Sequence, residues 1–283
     1  MRERARVVID ANIAVHTKLA SFYEKTEPHF RAENIAVVDA RLRAATERTS
    51  AKRLLDLGCG TGFMIDIAKK HVPAIVGVDV TRAMLDRVDT SGPAAIQLVE
   101  HDTGSLRVWP GAFDVVTAYS FLHHLYDVRP TFATASHALR KGGLFYADLD
   151  PNFDFWDAIA QLDGGGGYDP IVQREIDAVL HIDDTMHREY GIPNDVFNDA
   201  EYGKNIAGGF KEEVLRRDLE RAGFSRVTFH YYWFLGQAHV VNDASRPSRD
   251  ERLERAGEMD AVLQRILPLS RRLYKYIGFV AEK

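Results

Sequence analysis

The chain has 283 residues, of which 46% are hydrophobic and 27% are charged, and its formal net charge is -5. This length supplies enough apolar material for one α/β domain with additions, and the acidic balance disfavours a nucleic-acid partner or an anionic membrane surface. The single cysteine, Cys59, excludes an internal disulfide, and no apolar run reaches the roughly 20 residues of a membrane helix. We therefore expect a cytoplasmic protein without a nucleic-acid or membrane partner.

Residues 1–49 are predicted to form an N-terminal helical cap, because apolar residues recur at helical spacing within residues 7–15 and again within 35–45. The segment between them, SFYEKTEPHF, contains Tyr23 and His29. One interpretation of Tyr23 is an aromatic staple between the two helices. His16 and His29 are predicted to lie at the surface.

A buried strand and a glycine-rich turn follow at residues 54–62, with the sequence LLDLGCGTG. Glycine accepts positive φ and has no Cβ, so this backbone can turn sharply and let a ligand lie against it. Residues 63–70 have helical character, which completes the first strand–turn–helix unit of a doubly wound α/β sheet. Asp56 precedes the first glycine, where a carboxylate suits a cationic ligand and would repel a pyrophosphate.

The order Asp-x-Gly-x-Gly-x-Gly resembles motif I of the class I S-adenosylmethionine (SAM)-dependent methyltransferases, and it differs from the G-x-G-x-x-G of dinucleotide-binding proteins. The resemblance implies SAM as the cofactor and S-adenosylhomocysteine (SAH) as the product. It also implies a Rossmann-like, seven-stranded mixed sheet of order 3-2-1-4-5-7-6, with the last strand antiparallel, helices on both faces and added helical lid segments. The residues it assigns to the methionine part of SAM are Asp56, Gly58, Cys59, Gly60 and Gly62. In this family a tyrosine before motif I often folds over SAM, and Tyr23 resembles that residue.

Acidic residues end the next two predicted strands, at residues 74–80 and 95–100. Asp79 lies roughly 20 residues past the glycines, where such folds place the carboxylate that accepts from ribose hydroxyls. Its alternative role is the N-cap of the following helix, for which Thr81 is better suited. The resemblance places Val80 against adenine, and Asp102 with Thr103 at the adenine amine. An ordinary turn aspartate is the alternative for Asp102.

A fourth strand, residues 113–120, runs into the sequence FLHHL and resembles motif IV, where the strand end faces both SAM and the acceptor. Tyr119 and Ser120 are therefore candidate cofactor contacts. His123 and His124 are candidate bases, since histidine titrates near pH 7. Because they are adjacent, they are predicted to point in different directions, and in the family the second histidine often anchors the following loop.

A helix over residues 129–139 is predicted to stop at the sequence RKGG, and a fifth strand follows at residues 144–150. Asp148 and Asp150 are two residues apart, so they are predicted to share a face of this strand. Asp150 lies nearer the ligand edge of the sheet and is the third candidate catalytic residue.

Residues 151–210 are predicted to be an inserted lid, because core connections usually run about 2–6 residues. The insert is acidic, rich in aromatic residues and interrupted by the glycine run at 164–167. An aromatic lid over a small molecule and a solvated acidic face are both compatible with it. His181, Asp183, Asp184, His187 and Glu189 have metal-ligand character, but polar helix surface is the preferred interpretation and no metal is predicted.

Residues 211–283 are predicted to complete the core with a helix and two strands, and a second lid at about 236–272 interrupts them. Trp156, Trp233 and His239 are the candidate contacts to the acceptor. The chain is thus predicted to be one methyltransferase domain, residues 1–283, with its SAM-binding core at 50–150.

The resemblance implies methyl transfer from SAM to the oxygen, nitrogen or carbon of a small acceptor, and the aromatic residues of the lids favour an apolar or aromatic one. Three alternatives stay open. They are another SAM enzyme of the same fold that performs a different transfer or a cyclisation, a protein or RNA methyltransferase, and a non-catalytic SAM-binding subunit. The sequence indicates neither the identity of the acceptor nor the oligomeric state.

Overall fold

A seven-stranded mixed sheet forms the centre of the computed structural model, which describes residues 2–107, 109–162, 167–243, 245 and 248–283. The strand order is β3-β2-β1-β4-β5-β7-β6, with the first five strands parallel and β7 antiparallel to both of its neighbours. The predicted order and the antiparallel last strand are confirmed. The strands are β1 Arg53–Leu57, β2 Ala74–Asp79, β3 Ala95–Glu100, β4 Phe113–Tyr119, β5 Leu139–Pro151, β6 Val227–Phe234 and β7 Tyr274–Glu282.

Helices cover both faces of this sheet and its ligand edge. They are α1 Arg2–Leu19, α2 Tyr23–Thr26, α3 Ala32–Thr49, α4 Phe63–Ala68, α5 Arg82–Leu85, α6 Arg129–Ala138, α7 Phe153–Ala160, α8 Pro170–Leu180, α9 Ile182–Tyr190, α10 Asn194–Ala200, α11 Glu212–Arg221, α12 Gln237–Val241 and α13 Arg249–Arg265. Short 3-10 turns occur at Pro28–Phe30, Leu122–His124 and Arg271–Leu273, and a π-turn occurs at Tyr202–Ile206. No helix in the described ranges is both long and apolar enough to cross a membrane.

The central strands are apolar on both faces because helices cover both sides, as is usual for parallel sheets. In β1, Leu54 and Leu55 are both fully buried, although they are adjacent and point to opposite faces. Leu54 packs with Leu42 of α3 in one core cluster, and Leu55 packs with Phe132 of α6 in the other. Truncating such a leucine to alanine typically costs about 2–5 kcal/mol, so these two clusters are the main source of stability for the site.

Strand β5 is longer and less regular than the sequence predicts. It begins at Leu139, which pairs with Phe113 of β4, so the RKGG sequence lies within the strand. Near its other end the pairing with β7 shifts between Ala147 and Asp150, and Leu149 has a φ of 60°. This irregularity gives Asp148 and Asp150 entirely different partners, contrary to the shared face that simple alternation predicts.

The N-terminal helix and the insert pack together over the ligand edge of the sheet. Ala11, Val15 and Leu19 of α1 form one apolar cluster with Phe197 and Ala200 of α10. Four of the helices, α7 to α10, belong to the insert at 151–210. Three residues of the glycine run at 164–167, Gly164 to Gly166, lie outside the described residues. The two segments that the sequence treats separately thus form one cover over the sheet.

Candidate functional site

Two adjoining cavities open at the carboxyl ends of the parallel strands. With their open mouths included, the first has a volume of about 860 Å³ and the second about 1220 Å³. The first lies over β1, β2 and β4, and the second lies between α1, α9, the π-turn and β6. They share a wall of five residues: His16, Tyr23, His29, Ser120 and His124.

The first cavity gathers nearly all the predicted cofactor residues. Eleven of them line it: Tyr23, Asp56, Gly58, Cys59, Gly60, Asp79, Val80, Asp102, Thr103, Tyr119 and Ser120. Gly62 does not line the cavity; it stands just before α4 with a φ of 100°. Its role in this structure is therefore to start the helix that follows the turn.

Asp79 connects the glycine turn to the end of β2. Its Oδ2 accepts the backbone N–H of Gly60 at 2.9 Å, and its Oδ1 accepts that of Thr81 at 2.8 Å. At Gly58, with a φ of 70°, an added Cβ would overlap the ring of Phe121. Asp79 therefore holds the turn on one side. On the other side the Phe121 ring leaves no space for a side chain at Gly58. Each oxygen of Asp79 can still accept a further hydrogen bond from a ligand.

Asp56 presents an unpartnered oxygen to the first cavity. The side chain is 1% exposed and its Oδ1 accepts from Thr117 Oγ1 at 2.7 Å. Its Oδ2 has no hydrogen-bond partner among the described residues. Burial raises the pKa of Asp56 to about 7, against the opposing hydrogen bond from Thr117. A buried acceptor without a donor is costly, so this position is suited to a cationic ligand.

The end of β4 lies on the side of the first cavity that faces the second cavity. Tyr119 Oη accepts from Asn34 Nδ2 at 2.8 Å, and the ring lies 4.7 Å from that of Phe63. Ser120 has a φ of 50°, an uncommon conformation for a residue other than glycine. Its N–H donates to the carbonyl of Asp148 at 2.8 Å. Strained backbone of this kind clusters at functional sites.

His123 and His124 lie together at the second cavity instead of pointing apart. Both belong to the 3-10 turn at 122–124, and their ring centroids are 4.2 Å apart. His123 Nδ1 bonds to Asp150 Oδ1 at 2.8 Å, and His124 Nδ1 bonds to the carbonyl of Ala200 at 2.9 Å. Burial lowers the pKa of His123 to about 4 and that of His124 well below its usual value, so both rings are neutral at pH 7.

The π-turn at 202–206 brings Glu201 and Lys204 to this histidine pair. Gly203 packs on the backbone of His123, where an added Cβ would lie 2.8 Å from the His123 Cα. Glu201 Oε2 lies 3.7 Å from His123 Nε2 and accepts from Lys204 Nζ at 2.8 Å. π-turns are rare and frequently mark functional sites.

This arrangement contains three side chains of the types that bind metals. One donor atom each from His123, His124 and Glu201 lies within 4.8 Å of the others. The ammonium of Lys204 already neutralises Glu201, and the Nδ1 atoms of both histidines have partners. These contacts favour an ion pair with neutral imidazoles over a metal site, and the absence of a metal stays a prediction.

The remaining predicted residues are divided between the site and its surroundings. Trp233 lines the second cavity, and Asp150 lies behind His123, which it contacts. Trp156 packs in the core with Phe155, outside both cavities. His239 lies on α12 and also lines neither cavity.

Sequence reasoning missed several residues of the site. The prediction that His16 and His29 lie at the surface is wrong: both line the shared wall, and His29 is 3% exposed. His16 Nδ1 bonds to the carbonyl of Asn12, which leaves Nε2 for other partners. Asn12 and His16 are four residues apart on α1, so the helical spacing of two polar residues beside an apolar face was the available signal. Glu201 and Lys204 carried no comparable signal.

Comparisons with known proteins agree with this architecture. Residues 55–147 match the family model described as "Methyltransferase domain". A ubiquinone biosynthesis O-methyltransferase of Idiomarina loihiensis is 27% identical over 117 residues, which are 39% of this chain and 48% of that protein. The chain thus spans about half the length of the curated relatives it matches.

Solved structures resemble the chain over most of its length. A SAM-dependent methyltransferase from Archaeoglobus fulgidus has a TM-score of 0.54 and 17% identity, with 93% of this chain and all of that one covered (100%). A second, from Mesorhizobium loti, has a TM-score of 0.52 and 20% identity, with coverages of 86% and 96%. The chain therefore has the class I methyltransferase fold, and residues 55–147 are similar to the methyltransferase domain family.

Proposed function

We propose that this protein transfers a methyl group from SAM to a small-molecule acceptor. The observation that carries the proposal is the shared wall: a cavity with the cofactor motifs adjoins a second, larger cavity across His16, Tyr23, His29, Ser120 and His124. Two ligands bound on the two sides of this wall would meet at it. Bound SAM supplies an electrophilic methyl group on a sulfonium.

The first cavity fits SAM by the chemistry of its groups. The unpartnered Asp56 Oδ2 matches an ammonium, and Gly58, Cys59 and Gly60 of the glycine turn line the cavity where the methionine part of the cofactor would lie. Asp79 retains acceptor capacity for ribose hydroxyls, and Asp102 offers a carboxylate for an exocyclic amine. The Asp56 carboxylate beside the glycine turn would repel a pyrophosphate, which argues against a dinucleotide.

The second cavity supports a small acceptor. It is enclosed by α1, the insert and β6, and its walls include the aromatic side chains of Tyr23, Tyr190, Trp233 and Tyr276. Enclosed, largely apolar pockets with a few polar groups are typical of small-molecule sites. The curated relatives are named for ubiquinone biosynthesis, which is also small-molecule chemistry. From these names we extend only the class of small-molecule substrates to this chain, and the cytoplasmic location stays a prediction from the sequence.

We propose that alignment supplies most of the rate. Methyl transfer is an in-line displacement, and holding the reacting atoms in near-attack geometry lowers the barrier greatly. The cover formed by α1 and the insert would exclude water from the site. His123 and His124 are neutral and so have lone pairs, but lowered pKa values make them weak bases. No single base is therefore expected to be essential.

The test separates binding from transfer. Calorimetry should show micromolar binding of SAM and SAH and none of NAD; binding of NAD without SAM would end the proposal. Methyl-labelled SAM is then incubated with a fractionated metabolite extract, and labelled product and SAH are followed by mass spectrometry. Label in a small molecule supports the proposal, whereas label in added tRNA or protein supports the macromolecular alternative. SAH binding with no labelled product in any fraction would favour a SAM-binding subunit.

A further inference from the structure

The second cavity carries more acidic than basic groups. Three carboxylates line it, from Glu27, Glu189 and Glu201, against the single ammonium of Lys204. Three of the four histidines of this cavity do not compensate, because burial lowers the pKa of His29 to about 3 and keeps His123 and His124 neutral as well. Carboxylates therefore outnumber ammonium groups on this wall.

Glu201 and Lys204 neutralise each other. Burial alone would raise the pKa of Glu201, but Lys204, at 2.8 Å, holds it well below the usual range. Burial alone would lower the pKa of Lys204, but Glu201 raises it, so the pair stays ionised. This ion pair leaves little unsatisfied charge for a ligand.

Glu27 is in the opposite situation. In the part of the chain that the structure describes, no lysine or arginine nitrogen lies within 4.0 Å of its carboxylate, and the nearest basic atom is His29 Nδ1 at 3.8 Å. About 35% of the Glu27 side chain is accessible, and the residue lines the second cavity. Burial, followed by repulsion from Glu201, raises its pKa to about 7.

His29 provides a second, independent sign of a missing ligand. Its side chain is 3% exposed, it lines both cavities, and its Nδ1 has no hydrogen-bond partner among the described residues. A buried polar atom without a partner costs free energy unless a ligand satisfies it. The unsatisfied Nδ1 and the uncompensated Glu27 carboxylate lie next to each other.

We propose that the acceptor carries an ammonium group and that Glu27 and His29 bind it. An ammonium has three donors, which can serve the Glu27 carboxylate and the lone pair of neutral His29 Nδ1 together. The ring of Tyr23, whose centroid is 6.0 Å from that of His29, adds an aromatic face of the kind that attracts cations. Because it names the acceptor class of the second cavity, this inference rests on the proposed function.

The test compares three probes of one shape: 2-phenylethylammonium, 2-phenylethanol and phenylacetate. Each is titrated calorimetrically into the whole protein saturated with SAH, and SAH binding itself is measured first. The wild type should bind the ammonium at least about tenfold more tightly than the alcohol, since hydrogen bonds to ionised groups are the stronger ones. Glu27→Gln should bring the two affinities within about twofold. Glu24→Gln, on the short helix α2 that directly precedes Glu27, changes an exposed carboxylate, so it is the matched control and should keep the preference.

Three results would overturn the inference. They are equal affinities for ammonium and alcohol in the wild type, tighter binding of phenylacetate, which would assign the subsite to Lys204, and no binding of the ammonium at millimolar concentration. A preference that survives Glu27→Gln would equally remove Glu27 from the subsite. Failure of SAH to bind refutes the proposed function instead, so the two failures are distinguishable.

Discussion

Replacing Asp79 should weaken SAH binding and loosen the glycine turn together. Asp79 holds the N–H groups of Gly60 and Thr81 at 2.9 and 2.8 Å, and it is the candidate acceptor for ribose hydroxyls. Hydrogen bonds to charged groups each contribute about 1.5–3 kcal/mol. Asp79→Ala removes the acceptor for both backbone donors and for the ligand, whereas Asp79→Asn keeps one oxygen in place.

For Asp79→Ala we expect a loss of about 1–3 kcal/mol in SAH affinity, or roughly 5- to 150-fold. We expect a fall of similar size in the free energy of unfolding, which lowers the melting temperature by roughly 2–4 °C per kcal/mol. Asp79→Asn should lose less SAH affinity and less stability than Asp79→Ala. Titration calorimetry with SAH and thermal unfolding of the free protein measure the two effects separately.

Asp86→Ala is the control. Asp86 pairs only at the surface with Arg82, four residues earlier, and exposed pairs of this kind contribute little. It should therefore change neither quantity measurably. The reasoning would be refuted if Asp79→Ala bound SAH within twofold of the wild type, or if Asp86→Ala lost as much affinity.

Four further outcomes are expected. Gly203→Ala forces a Cβ against the backbone of His123, so it should lower the melting temperature and acceptor binding while SAH affinity stays unchanged. The folded-state pKa of Glu27, raised from 4.5 to about 7, means that this group costs stability as pH rises through that window. The melting temperature of Glu27→Gln should therefore be higher than that of the wild type at pH 8 and equal to it near pH 4.5. A difference in melting temperature that grows toward acid pH would contradict this reasoning. Hydrogen exchange over residues 155–205 should slow when SAH and acceptor are both bound, and unchanged protection would make the insert a fixed element. Once an acceptor is known, alanine at each candidate base should lower kcat by less than about 100-fold, and one variant that abolishes turnover with binding intact would identify an essential base.

The cofactor half of the site could be predicted because its residues follow local rules. Asp56 and Asp79 stand near the ends of apolar runs that predict buried strands, and Asp102 follows the next predicted strand, the edge strand β3. Parallel strands in one sheet bring their carboxyl ends to one edge, so the order of strands alone assembles these groups. The glycine turn adds a backbone requirement that few other residues meet.

Strand β5 departs from its prediction for a physical reason that the sequence pattern does not show. The sequence LFYADLD predicts a regular strand, but Leu149 takes a positive φ where the pairing with β7 shifts. Asp148 is consequently held by Arg41, Tyr146 and His230, whereas Asp150 contacts His123. Whether a strand has such a bulge depends on the strands it pairs with in the folded protein. In β5 the irregularity leaves Asp148 in a structural hydrogen-bond network and places Asp150 beside the second cavity.

Most residues of the second cavity could not be predicted, because its walls come from distant parts of the chain. Asn12 donates to the carbonyl of His124 across 112 residues, and His124 bonds to the carbonyl of Ala200 across another 76. The spacing of residues within one helix or strand cannot predict contacts between residues so far apart in the chain.

These same contacts suggest how acceptor binding and the cover are linked. Helix α1 carries His16 to the shared wall and packs on α10, while the turn after α10 carries Glu201 and Lys204 to the histidine pair. An opening of the cover that separated α1 from α10 would expose apolar residues such as Val15 and Phe197, and it would also break the polar wall of the second cavity. A ligand that bridges Glu27 and the shared wall would oppose that opening, since it binds only the closed arrangement. The closed cover and the filled acceptor cavity would then stabilise each other by the same free energy.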